Sequence, residues 1–130
     1  MRAAFFCFYL LLMCPTPLPH ATTKDIFLWL LRRYYRLRIH GNSMTPTLQP
    51  HQEVLINPRA YRHFQPLPGE IVVVEHPDQA GLFIVKRILF VEPDGRCYLQ
   101  GDNRAESTDS RQLGLFPLKQ ISGRVHCLFP

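Results

Sequence analysis

The chain has 130 residues, 46% of them hydrophobic, which suits one domain with a single core and leaves no room for a second. Its formal charge of +5 is uneven: residues 1–40 hold six of the fifteen basic residues and one of the ten acidic ones, so residues 41–130 carry nine of each. A neutral folded body argues against a nucleic-acid-binding domain, which gathers its Lys and Arg on the fold itself.

The first segment, residues 1–23, opens with Arg2, an apolar run from Ala3 to Cys14, and Pro15, Pro17 and Pro19. A charged start and a short apolar stretch suit a processed signal, a membrane-touching tail or a misassigned start, and twelve residues are too few to span a bilayer. Residues 24–38, KDIFLWLLRRYYRLR, join an apolar block to Arg32, Arg33, Arg36 and Arg38 interleaved with Tyr34 and Tyr35. The pattern predicts a helix lying on anionic lipid; an ordinary helix or strand leading into the domain is the alternative.

From residue 39 the pattern changes to short apolar runs broken by Gly, Pro and Asp: 53–56, 70–75, 82–92, 96–100 and 121–129. β-branched and aromatic content with turns between predicts strands, and EPDG at 92–95 predicts a hairpin turn. A mainly β barrel is the expected architecture, with residues 39–130 as its domain. The four cysteines, Cys7, Cys14, Cys97 and Cys127, form no CxxC pair and have no histidine at the usual ligand spacing, which argues against structural zinc. Cys97 and Cys127 are expected as buried thiols rather than a disulfide.

Three stretches carry chemistry. In GNSMTPTL (41–48) a serine follows Gly41 and Asn42 where the chain must turn, a setting that exposes a hydroxyl and allows a backbone N–H to face a carbonyl. Alone it reads as an ordinary loop. In LFIVKRILF (82–90) Lys86 sits among apolar neighbours, and burial lowers a lysine pKa towards a usable base; alternatively Lys86 and Arg87 alternate and one reaches solvent. In GDNRAESTDSR (101–111) Ser107 is placed to bond an amine and Asp109 to pair with Arg87 or Arg111. A hydroxyl nucleophile, an amine base and an orienting hydroxyl make the Ser-Lys form of nucleophilic catalysis, which needs no histidine.

In this order, GNSMTPTL, PGEIVVVEHP, IVKRI and GDNRAESTDSRQLG resemble the boxes of the type I signal peptidase family of Ser-Lys endopeptidases, over about residues 37–125. The resemblance implies a compact β-rich catalytic domain preceded by a helical or membrane-associated segment, with Ser43 as nucleophile, Lys86 as base and Ser107 orienting Lys86. It implies structural support from Arg87, Asp102, Asn103, Asp109 and Arg111, substrate pockets lined by Leu37, Ile39 and Val85, and no cofactor or metal of the chain's own. Some members carry a serine two residues before the nucleophile where this chain has Gly41, so the oxyanion donors fall to the Ser43 N–H and the Asn42 side chain. Ser43 and Lys86 stand only 43 positions apart, leaving no room for a large extra β-domain. This compactness is most similar to the nickel-type superoxide dismutase maturation proteases, whose substrate, not the protease, carries the nickel. The implied partner is a precursor with an N-terminal leader, and the implied location is membrane-associated or cytoplasmic; general signal-peptide processing at a membrane is the alternative. A silent membrane-surface binding module competes from another class. Self-cleaving repressors of the SOS response share the chemistry but lack the GDNR…STDSR box.

Overall fold

The short apolar runs become strands in a computed structural model, which describes residues 17–130. In chain order the elements are α1 (Thr23–Leu30), β1 (Tyr35–Arg38), β2 (Glu53–Asn57), β3 (Ile71–Glu75), β4 (Phe83–Val91), β5 (Cys97–Gln100), α2 (Ser110–Leu113) and β6 (Ile121–Leu128). The five expected strands are present, and the EPDG turn closes the β4–β5 hairpin through bonds from Glu92 N–H to Arg96 O and Gly95 N–H to Glu92 O. The apolar run from Ala3 to Cys14 lies outside the described residues.

All six strands join one antiparallel sheet in the order β1-β2-β6-β3-β4-β5. The chain is mainly β, as expected, but the sheet is open where a closed barrel was expected. Its ends are protected in other ways. On β5, Cys97 exchanges both backbone bonds with Phe116, and Leu99 N–H donates to Ser110 Oγ at 2.8 Å, so α2 and the segment after it occupy that edge. On β1 the edge carries Arg36 and Arg38, and such charges discourage pairing with another chain.

β3 shows why the sheet lies inside the molecule. Ile71 and Val73 pack into one cluster with Ile39, Met44, Leu48, Val54, Ile56 and Val125. Val72 and Val74 pack into another with Ile88, Cys97, Leu99 and Phe116. An unbroken IVVV run is the signature of a strand buried on both faces, since side chains alternate along it. Each fully buried aliphatic side chain contributes about 1.5–3 kcal/mol.

Residues 24–38 do not form the single interfacial helix expected. Thr22 and Asp25 form a reciprocal cap that starts α1, and the helix ends at Leu30. Arg32 then takes a left-handed conformation, φ +59°, which no helix continues, and the tyrosine pair leads into β1. Arg36 is not free for lipid: it pairs with Glu53 and lies over the Trp29 and Phe129 rings. Among the described residues no helix is long and apolar enough to cross a membrane. Cys97 and Cys127 are buried free thiols.

Candidate active site

Lys86 is the least expected buried group. Register places it opposite Val72, on the strand face shared with Ile84 and Ile88, and it is 3% exposed. Burial lowers its pKa from the ordinary lysine value, with the Arg111 charge acting in the same direction and the Asp109 charge against it. Arg87, on the opposite strand face, does not run out to solvent. Its Nε and Nη2 each donate to Asp102 at 2.9 Å, and its Nη1 donates to Gly69 O at 2.7 Å.

Lys86 Nζ donates to Ser107 Oγ at 3.1 Å, and Ser107 Oγ donates to Asp109 Oδ2 at 3.0 Å. The direction of this relay matters. A serine has one proton, and Ser107 gives it to Asp109, so towards Lys86 it only accepts. When Lys86 loses its extra proton, its lone pair is therefore not taken up by Ser107 and is open to another hydroxyl.

Asp109 holds the relay in place. It is fully buried, takes N–H bonds from Gly101 and Arg111, and pairs with the Arg111 guanidinium at 3.0 Å. Burial alone would raise its pKa; the Arg111 side-chain and backbone bonds, with those of Gly101 and Ser107, outweigh it and hold the carboxyl below its usual range. Asp109 also caps α2 through a reciprocal bond with Gln112. Of the two partners open to Asp109, the structure selects Arg111, and Arg87 goes to Asp102.

Ser43 lies in the loop between β1 and β2, anchored by the buried Met44 and Leu48. Gly41 enters that loop at φ +77°, a conformation that favours glycine. The loop is tied to 101–111 at three points. Asn103 N–H donates to Ser43 O at 2.9 Å, Asn103 Nδ2 to Thr45 Oγ1 at 3.1 Å, and Thr47 Oγ1 to Asp102. Gly101 packs between Ser43 and Ser107. A Cβ there would lie 2.2 Å from Ser107 Oγ and 2.6 Å from Ser43 O, so the Ser43 main chain and the Lys86-bonding hydroxyl flank one point.

The Ser43 hydroxyl makes no hydrogen bond among the described residues, so no direct Ser43–Lys86 bond is formed. The Ser43 N–H and the Asn42 side-chain amide likewise have no acceptor there, which leaves both available to an incoming oxygen. Leu37 and Val85, partly buried, pack against the cluster that contains Ile39; Ile39 itself is a core residue. Thr45, Thr47 and Gly101 were not anticipated. Thr45 and Thr47 sit in the GNSMTPTL stretch, but their partners are more than 50 residues away. A cavity of about 440 Å³ lies elsewhere, beside Tyr61, Phe64 and Arg96.

The family described as signal peptidase, peptidase S26, matches residues 26–94 and 90–129. The chain belongs to that family. Among its relatives, mitochondrial inner membrane protease subunit 1 of Xenopus tropicalis is 34% identical over 108 residues, covering 68% of this chain and 64% of that protein. Mitochondrial inner membrane protease subunit 2 of Danio rerio is 31% identical over 121 residues, covering 76% and 66%. A probable signal peptidase I-1 of Synechocystis is 38% identical over 81 residues, covering 62% and 37%. The chain thus spans just under two thirds of the length of the mitochondrial relatives.

Proposed function

We propose that this chain is a serine endopeptidase that removes an N-terminal leader from a precursor protein, with Ser43 as nucleophile and Lys86 as general base. The observation that carries the reading is the Lys86–Ser107–Asp109 relay: a buried amine with a lowered pKa, oriented by a hydroxyl that can only accept from it. Neutral Lys86 takes the Ser43 Oγ proton as the oxygen attacks the scissile carbonyl, giving an acyl-enzyme. The Ser43 N–H and the Asn42 amide donate to the oxyanion; one such donor is worth about 3–4 kcal/mol. Lys86 passes its proton to the leaving amine and then activates the water that releases the acyl group. Arg87, Asp102, Asn103, Asp109 and Arg111 hold the two loops together, and Leu37, Ile39 and Val85 shape the ground for small residues before the cleaved bond.

For the substrate, the compact spacing of the boxes supports the precursor of nickel superoxide dismutase. The likeness to mitochondrial inner membrane protease subunits and to a probable signal peptidase favours the second reading, processing of precursors at a membrane. Incubating the full chain with one leader-bearing precursor of each kind, with new N-termini read by mass spectrometry, separates the two. In either case Ser43→Ala and Lys86→Ala are expected to lower cleavage at least ~10³-fold with the far-UV spectrum unchanged. Retained cleavage in either variant would remove the dyad.

A further inference from the structure

A second cluster of reactive side chains stands apart from the relay. Asp25 in the first turn of α1 meets His126 and Cys127 of β6, and their donor atoms all lie within 4.8 Å of one another. Neighbouring strand residues normally point to opposite faces, so His126 and Cys127 should not share a partner. They do because the pairing of β6 with β2 slips. Leu55 lies opposite Cys127 and Ile56 opposite Val125, which leaves His126 as the extra residue of a bulge. A bulge re-aims a side chain, and here His126 Nε2 comes within 2.9 Å of Asp25 Oδ1. The second carboxylate oxygen of Asp25 is occupied by the Thr22 N–H and hydroxyl, both at 2.9 Å, which fixes the orientation of the first. The Tyr34 ring packs on His126 at 5.0 Å between centroids.

We propose that Asp25, His126 and Cys127 bind a divalent metal ion of the zinc class. Imidazole, carboxylate and thiolate are its usual donors, and bonds of about 2.0–2.3 Å in a tetrahedron set the donors ~3.3–3.7 Å apart. His126 Nε2 and Asp25 Oδ1, at 2.9 Å, have to part slightly and exchange their hydrogen bond for the ion, while the widest-set donors, within 4.8 Å, draw in by roughly 1 Å. The charges match: one carboxylate and one thiolate neutralise a dication, which makes a largely buried ion tolerable. The thiolate and not the thiol is the ligand, so loading the site releases the Cys127 proton. The ion takes no part in peptide hydrolysis. It clasps α1 to β6, joining residues 101 positions apart, a separation that hides the ligand set from any spacing rule.

Cobalt(II) titration of the reduced full chain tests this, because thiolate-bound tetrahedral cobalt absorbs strongly in the near ultraviolet and visible and the aqueous ion does not. The expected result is saturation at one equivalent, reversal by zinc(II), loss of the thiolate band in Cys127→Ser, and at least about tenfold weaker binding in Asp25→Asn. Zinc(II) should also raise the Tm of the wild type, since an ion held only by the folded state stabilises it. His126→Gln serves as the second variant if Cys127→Ser fails to fold, and the wild-type titration depends on neither. Absence of the band in the wild type, its survival in Cys127→Ser, or bound cobalt with no rise in Tm overturns the proposal.

Discussion

Gly101 shows how much of the site depends on one missing side chain. Its N–H donates to Asp109 at 3.1 Å, while the space its Cβ would take is filled by Ser107 and the Ser43 carbonyl. Both contacts are short and the carbonyl is main chain, so Gly101→Ala must move the serine that orients Lys86, the loop that carries Ser43, or both. We expect a loss of ~1–3 kcal/mol in stability, the range for overpacking, and a fall in kcat larger than any rise in KM. Thermal unfolding and steady-state cleavage check this; unchanged kcat would show that Ser107 does not need its observed position. At this scale Lys86 was legible, because a lysine amid LFIVKRILF has few ways to avoid burial. Gly101 was not, because its constraint comes from two segments that meet only in the fold.

The two strand faces of β4 divide the work. Lys86 faces the Val72 side, and Arg87 crosses to Asp102, whose loop also receives Thr47. The Arg87–Asp102 pair is nearly buried on both sides, and its two parallel bonds suit a guanidinium and not an ammonium. Arg87→Lys is therefore expected to cost at least ~1 kcal/mol. Asp102→Asn, which takes the carboxylate charge away from a nearly buried guanidinium, is expected to cost more, about 3–5 kcal/mol. Chemical denaturation of both variants measures the order, and equal stability of the two would contradict it. Strand positions were legible because short β-branched runs bounded by Pro and Gly have one natural conformation. β1 was not, because its Tyr and Arg residues alternate as readily on a helix; the left-handed Arg32 and the Glu53 partner on β2 decided it.

Across the whole molecule, the open sheet sets one cluster of side chains on each face, and α1 packs its Trp29 against Phe129 beside β6. Phe27, Leu30 and Leu31 remain exposed next to Arg32 and Arg33, so any contact with anionic lipid falls to this end of α1 and not to the whole of 24–38. Neutralising Arg32 and Arg33 to Gln should weaken binding to anionic vesicles, while Arg36→Gln, which breaks the Glu53 pair and the ring contacts, should lower Tm and leave vesicle binding nearly unchanged. Vesicle sedimentation and thermal unfolding distinguish these outcomes, and the reverse pattern would return the membrane role to β1. The central claim is that Lys86 acts as a neutral base. Its folded pKa lies below the ordinary value of about 10.4, so cleavage should rise with pH through that lowered value and level off before the ordinary one. Single-turnover cleavage of a leader-bearing precursor, followed from about pH 5 to 10, tests this most directly. We predict a one-proton acid limb in the wild type and background rates at every pH in Lys86→Met; a Lys86→Met variant that cleaves with the same limb would contradict the account.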